Sequence, residues 1–469
     1  MTSHGPIAGS FRDPAGQVHT AGDCIFRTVS HYGAPNFKDT LKTGLLDRFV
    51  ERGDLVPFRE VRDPPTLALF PNAAHVLEHP RLAFISHPYE WTFPLLKSAA
   101  LFHLDLALDC IDNDIVLSDA TAYNVQFIGT RPIFMDHLSF RPYVEGEYWT
   151  SHRQFCEQFL NPLLLRHCLD LPHNAWFRGT LEGISTQDLL RVLPVSAKLS
   201  LRMLLHVVLP GRFQRKATAT PGERPTGIAD RKPLPRAAYR GMLRQLRDWI
   251  ADLRPRGDAE SLWGSYAKDN SYTGLETSIK TTFIEKFIAE RRPELVFDLG
   301  CNTGFFSEIA LRAGAQRVIG FDFDQAALSG AYQRARDRNL DFLPLYGDAA
   351  NPSPSQGWHQ QERLGLSERA RADAVLALAF QHHLAIARNI PLERIVDWIV
   401  PMAPEGIIEF VEKNDPTIQT MLAMREDIFA NYSRETFESI LATQARIVDR
   451  CEVMAGSRYL YRYRSHDIP

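Results

Sequence analysis

VFDLGCNTGFF, residues 296–306, decides the fold. An apolar run ends at Asp298. A loop follows with Gly300 and Gly304, and a helix-like pattern opens at Phe305. That is a strand, a tight turn and a helix. A dinucleotide fingerprint needs a second glycine two positions after Gly300, and Asn302 stands there instead. The spacing Asp-x-Gly-x-x-x-Gly points away from NAD and towards another ligand.

The pattern continues on both sides of the turn. A helix over 278–290 leads to a strand at 295–298, and a helix at 305–313 leads to a strand at 317–322. A helix at 325–337 then leads to a strand at 341–346. After an irregular insert come a strand at 373–379, a helix at 391–402, a strand at 406–412 and a helix around 417–430. Two closing strands fit 445–454 and 458–464. Strands that alternate with helices and are nearly all apolar predict a parallel sheet covered on both faces.

Ligands bind such sheets at the carboxyl ends of the strands. There Gly300 lets the backbone approach the ligand, and Gly304 permits close packing as the helix starts. The helix N-terminus offers N–H groups to an anion. Asp298 would repel a pyrophosphate but attract a cation, so the ligand should carry both a carboxylate and an ammonium. Asp322 ends the second strand, where a carboxylate takes ribose hydroxyls. Asp348 follows the third strand and suits an adenine amino group, with the Ala349 backbone beside it. Amino acid, ribose and adenine together describe S-adenosylmethionine.

VFDLGCNTGFF, VIGFDFD, YGDAANP and ADAVLALAFQHHL, in that order, resemble the motifs of class I S-adenosylmethionine-dependent methyltransferases. The resemblance covers about 260–469. It implies that Asp298, Gly300, Cys301, Asn302 and Gly304 cradle the methionine end of the cofactor. Asp322, with Phe323 beside it, would hold the ribose, and Asp348 and Ala349 the adenine. The arrangement is similar to a group of bacterial methyltransferases that includes rhizobial nodulation proteins, which implies a saccharide or small-molecule acceptor.

Methyl transfer needs a nucleophile held in line with the methyl group, and a hydroxyl nucleophile is helped by a base. Residues after the fourth strand face that position, so AFQHHLAIARN (379–389) supplies the candidates His382 and His383. If strand geometry persists there, the two point opposite ways, one towards the acceptor and one into the packing. Both could equally be structural. No Asn/Asp-Pro-Pro-aromatic motif of amino-methylating nucleic-acid enzymes occupies this place, and oxygen is the expected acceptor atom. The insert 351–366 is placed to cover the pocket, with Trp358 as a wall. The stretch 261–280 is placed to close over the cofactor, with Tyr266, Tyr272 and Lys280 as candidates.

The N-terminal part carries LSDATAYNVQFIGTRPIFMD (117–136). Asp119, Asn124 and Asp136 resemble the catalytic loop and metal-binding strand of protein-kinase-like phosphotransferases. The resemblance covers about 80–170. It implies that Asp119 orients a hydroxyl, while Asn124 and Asp136 hold magnesium on ATP. The His-Arg lead-in and the Phe-Gly after the last Asp are missing. No glycine-rich phosphate loop is evident, and Lys38 and Lys42 are the candidates for a nucleotide-binding lysine. Turn and cap chemistry around a hairpin is the competing explanation. Nearby, a small sheet is expected over 1–35, a helix over 36–52, a strand at 82–86, a long helix at 93–112 and mostly helix over 149–210.

A length of 469 residues predicts two or three domains. We place an α+β kinase-like domain at 1–170, a helical segment and basic linker at 171–257, and the α/β Rossmann-like seven-stranded methyltransferase domain at 258–469. Net charge is −3, which gives no nucleic-acid signal. About a dozen Arg and Lys against four acids in 212–256 leave a solvated linker and helix face, or a phosphate- or RNA-facing patch. Six scattered cysteines without a C-x-x-C pair read as reduced thiols. The opening residues have no apolar signal-peptide core, and charges interrupt the most apolar stretch, 95–111, so no membrane span is expected. A cytoplasmic location follows as an expectation. The alternatives to a plain methyltransferase are a bifunctional kinase-methyltransferase and a cofactor-binding scaffold without catalysis.

Overall fold

The computed structural model describes residues 5–21, 24–210, 233–256, 274–423 and 425–466. The chain divides into two compact units. One comprises 1–127, 131–258 and 356–363; the other comprises 128–130, 259–355 and 364–469.

In the second unit, seven strands form one sheet: β1 (Leu295–Leu299), β2 (Arg317–Asp322), β3 (Phe342–Tyr346), β4 (Ala374–Ala377), β5 (Glu405–Val411), β6 (Ala445–Met454) and β7 (Arg458–Ser465). Their order is β3-β2-β1-β4-β5-β7-β6. β1 to β5 are parallel, and β7 runs antiparallel between β5 and β6. The direction of the order reverses between β1 and β4, the switch point where such sheets open a crevice. Val296, Val318, Phe342, Leu376 and Ile407 anchor one core cluster. The longer helices that accompany the strands are α1 (Gly274–Arg291), α2 (Phe305–Arg312), α3 (Gln325–Asp337), α4 (Leu392–Ile399), α5 (Pro416–Leu422) and α6 (Arg434–Gln444). The single helix expected around 417–430 is instead the short α5. It is capped by Asp415, whose carboxylate accepts the Thr417 N–H at 2.9 Å. α6 is a separate helix whose N-cap Ser433 Oγ accepts the Thr436 N–H at 3.2 Å.

The first unit carries a five-stranded antiparallel sheet in the spatial order Gly5–Pro6, Val18–Ala21, Cys24–Val29, His75–His79, Arg59–Glu60. Two helices, Ala34–Lys42 and Leu45–Arg52, replace the one expected over 36–52. Gly44 breaks them apart at φ +67°, a left-handed conformation that interrupts a helix. The strand expected at 82–86 does not form. At its last residue a side chain takes the place of a partner strand: Ser86 N–H donates to Gln126 Oε1 at 2.9 Å, and Gln126 Nε2 donates back to the Ser86 carbonyl at 3.0 Å. The long helix Phe93–Ile111 buries Leu95, Leu96, Ala99, Ala100 and Leu104 completely.

The basic segment has a structural explanation where it is described. On helix Arg236–Asp252, Arg236, Arg240 and Arg247 reach Asp114, Asp112 and Asp105 at 2.7, 2.7 and 2.6 Å. The acidic residues along and just beyond helix Phe93–Ile111 take up this charge, so these arginines do not form an open phosphate-facing patch. Residues 211–232 lie outside the described residues. No helix among the described residues is long and apolar enough to cross a membrane.

Candidate functional site

The turn after β1 is built from left-handed backbone. Gly300 and Gly304 have φ of +76° and +75°, and Asn302 follows suit at +49°. The N–H groups of Gly300 and Cys301 both donate to the Phe321 carbonyl on β2, at 2.8 and 3.1 Å. A Cβ at Gly304 would overlap the Phe342 ring, and one at Gly300 would lie 2.9 Å from Phe380. Replacing Gly304 with alanine is therefore expected to destabilise the second unit through both strain and overlap, seen as a lower melting temperature. Cys301 is buried, and burial pushes its thiol up. It packs the turn rather than offering a thiolate.

Two carboxylates bracket the turn. Asp298 is 2% exposed and accepts a hydrogen bond from Ser307 Oγ at 2.5 Å. Burial raises it to about 7, with the Asp322 charge adding to the rise and the Ser307 bond opposing it. Asp322 accepts the N–H groups of Asn302 and Asp324, each at 2.9 Å. Burial raises this carboxyl too. Phe323, beside it, exposes 63% of its surface. Asp348 closes an Asx turn after β3 by accepting the Ala350 N–H at 3.0 Å, and the Arg388 guanidinium lies 3.8 Å from its other oxygen. Ala349 is half-buried beside it. The Gly347 N–H donates to the Asp322 carbonyl at 2.9 Å, which ties the ends of β2 and β3 together. The nine residues expected to hold a nucleoside and an amino acid thus sit at the carboxyl ends of three adjacent strands. Two carboxylates over a glycine turn without side-chain bulk fit a ligand with an ammonium and two hydroxyls.

The turn after β4 differs from the expectation. The chain leaves strand geometry at Ala379, where φ is +47°, and enters a π-helical turn at His383–Ala387. His382 and His383 consequently lie on the same side, ring centroids 4.3 Å apart, rather than on opposite faces. His382 is buried and its Nδ1 has no hydrogen-bond partner, while His383 is exposed. Burial, then the neighbouring His383, pushes His382 down to about 3. Gln381 Nε2 donates to Tyr432 Oη at 2.8 Å, and that hydroxyl donates to the Val411 carbonyl at 2.7 Å.

Lys280, expected near the cofactor lid, is instead fully buried in an ion pair with Glu409 on β5, Nζ to Oε2 2.7 Å. Arg458 at the start of β7 forms a buried bidentate pair with Asp415, at 2.7 and 3.0 Å. Glu409, Arg458 and Asp415 are the residues that sequence reasoning missed. The signal was a glutamate inside the apolar run GIIEFV, since a charge on a fully buried strand demands a partner. Tyr266 and Tyr272 lie outside the described residues. Trp358 belongs to the stretch 356–363 of the first unit and exposes 65% of its surface. In that stretch Glu362 pairs with Arg12 at 2.7 Å and Arg363 lies over the Tyr123 ring.

In the first unit, Asp119, Asn124 and Asp136 do come together. Asn124 Nδ2 lies 3.2 Å from Asp119 Oδ1 and 3.4 Å from Asp136 Oδ2. Ser139 Oγ donates to Asp119 at 2.6 Å. Burial, then the Asp136 charge, raises Asp119 to about 6. The basic partner is Arg27, 2.9 Å from Asp136 Oδ1 and also paired with Asp13. Lys38 and Lys42 are exposed on helix Ala34–Lys42, Lys42 pairing with Asp39. Among the described residues, no group of three or more His, Cys, Asp or Glu side chains is arranged to hold a metal ion.

No family model matches the chain. It is 47% identical over 460 residues to nodulation protein NoeA of Rhizobium meliloti (strain 1021), covering 98% of this chain and 96% of that protein. Over 78 residues, 16% of this chain, it is 33% identical to ribosomal protein L11 methyltransferase of Thermotoga maritima, of which the match spans 29%. Among solved structures, the N-methyltransferase NodS from Bradyrhizobium japonicum with S-adenosyl-L-homocysteine aligns at TM-score 0.33 and 16% identity, covering 44% of this chain and 98% of that one. The bifunctional kinase-methyltransferase WbdD aligns at TM-score 0.29 and 17% identity, covering 42% of this chain and 41% of that one. The chain belongs to the family of nodulation protein NoeA.

Proposed function

We propose that the second unit transfers a methyl group from S-adenosylmethionine to a hydroxyl of a small-molecule or saccharide-like acceptor. The observation that carries this reading is the pair of carboxylates, Asp298 buried and Asp322 half-buried, bracketing a left-handed Gly300–Gly304 turn. In it, Asp298 and the turn take the methionine end, Asp322 and Phe323 the ribose, and Asp348 and Ala349 the adenine. When bound, S-adenosylmethionine supplies an electrophilic methyl on a sulfonium. The chain then has to orient the acceptor and receive the hydroxyl proton. His383 suits the role of proton acceptor, because it is exposed and an ordinary imidazole is mostly neutral at pH 7. His382, buried behind it, orients its neighbour.

The Asp298 environment makes a testable demand. A carboxyl raised to about 7 stabilises the fold while protonated; that contribution is lost as pH rises from about 4 through 7. An ammonium brought beside Asp298 favours its ionised form. S-adenosylhomocysteine binding at pH 7 is therefore expected to release a fraction of a proton, read by calorimetry in buffers of different ionisation enthalpy. Asp298→Asn should abolish the buffer dependence. A wild type whose binding heat is the same in every buffer contradicts the assignment.

The acceptor is identified by incubating enzyme, methyl-labelled cofactor and a cell extract, followed by mass spectrometry. Labelled product with release of S-adenosylhomocysteine supports the transferase reading. Cofactor binding without transfer to any pool would favour a scaffold.

A second reading concerns the first unit, because Asp119, Asn124 and Asp136 converge beside Arg27. It is a phosphotransferase-like site for magnesium and ATP, and with it the protein would be a bifunctional kinase-methyltransferase. Magnesium-dependent ATP should then raise the melting temperature of the wild type but not of Asp136→Asn. No shift in either variant would reject it.

A further inference from the structure

Glu409 touches both the helix before the cofactor turn and the turn that carries the histidines. Its side chain is completely buried. Oε2 accepts a hydrogen bond from Lys280 Nζ on α1 at 2.7 Å and from the Ala379 N–H at 2.8 Å. Oε1 has no hydrogen-bond partner, and the Arg458 guanidinium lies 3.9 Å from it. Ala379 is not a glycine, yet it sits at φ +47°. Such a conformation is strained for a residue with a Cβ and persists only where its surroundings hold it. The next residue, Phe380, packs so closely on Gly300 that a Cβ there would lie 2.9 Å from its ring. Two residues further on is His382, with an unpartnered buried Nδ1 and the His383 ring against it. The carboxylate thus fixes the point from which Phe380 closes on the cofactor turn and the histidine pair is projected.

We propose that Glu409 is a positioning residue for methyl transfer: by accepting the Ala379 N–H it sets the left-handed turn that aims His382 and His383. The proposal rests on the reading that these histidines serve the acceptor side. Lys280 has the supporting role of keeping a buried carboxylate compensated. The needed property of position 409 is then a correctly placed acceptor oxygen, not a charge. A buried ion pair can be replaced by apolar residues with little loss of stability, which makes this separable from folding.

The test compares two double variants, Lys280→Met with Glu409→Gln and Lys280→Met with Glu409→Met. The first keeps an acceptor oxygen for Ala379; the second removes it. One readout needs no acceptor substrate: NMR titration of the histidine Cε1–H signals. His382 faces His383 on its own turn, Arg458 from β7, Asp415 at the start of α5 and Lys280 from α1. Both variants lose the Lys280 charge equally, so any difference between them comes from position 409. The His382 midpoint should rise by at least one pH unit more in the Met variant than in the Gln variant, as its ring gains access to water. In labelled methyl transfer to extract acceptors, the Met variant should fall at least thirtyfold below the Gln variant. The S-adenosylhomocysteine dissociation constants of the two should stay within threefold. Identical histidine titrations in the two variants would overturn the proposal. Different titrations with equal transfer rates would overturn the reading of the histidines instead. Absence of S-adenosylhomocysteine binding to the wild type would overturn the cofactor site without touching the titration result.

Discussion

Lys280→Met alone is expected to lower the stability of the second unit by about 3–5 kcal/mol, the usual result of stranding one partner of a buried ion pair. Both side chains are fully buried, and the Nζ–Oε2 distance of 2.7 Å is that of a charge-assisted hydrogen bond. Arg458, 3.9 Å from the other oxygen of Glu409, offsets part of the loss but is itself committed to Asp415. The effect should appear as a lower urea midpoint and as faster hydrogen exchange at Ile407 and Ile408, on the same strand as Glu409. Adding Glu409→Gln should restore most of the stability. A single variant as stable as the wild type would mean that water reaches the pair and that the core around β5 is not closed.

The second large effect concerns binding. Asp322→Ala is expected to weaken S-adenosylmethionine by about 1.5–3 kcal/mol, roughly ten- to hundredfold, the range for hydrogen bonds to a charged group. The structure adds a second reason for the loss. The same carboxylate receives the Asn302 and Asp324 N–H groups, so its removal also frees the cofactor turn. Asp322→Asn retains an acceptor and should fall between the two. Calorimetry with S-adenosylhomocysteine measures all three. Equal affinity in wild type and Asp322→Ala would remove this residue from the site.

Much of the second unit was legible because its elements follow two simple periods. The helix expected at 325–337 is Gln325–Asp337, and the strand expected at 317–322 is Arg317–Asp322. The glycine turn and the carboxylates at the ends of β1 and β2 were legible for the same reason: their positions are local in sequence. What escaped depends on distant residues. The apolar run at 82–86 has the composition of a strand, but Gln126 bonds its backbone. Arg27 could not be linked to Asp136 by spacing, because more than a hundred residues separate them and no motif joins them. The two histidines would point opposite ways only if strand geometry persisted, and the left-handed turn at Ala379 that ends it leaves no mark on composition. In the basic segment, the sequence shows the arginines, whereas their aspartate partners lie on a helix more than a hundred residues earlier.

That π-helical turn at His383–Ala387 bears on how this edge of the sheet can change. A π turn is geometrically an α-helical turn holding one additional residue. Deleting a single residue there can be absorbed by reverting to the narrower coil, with the residues on either side keeping their orientation. The glycine turn has no such slack, since its backbone is pinned to β2 and its Cβ positions are occupied by Phe342 and Phe380. The same sheet edge thus pairs a turn of fixed length with one that can lose a residue without disturbing its neighbours.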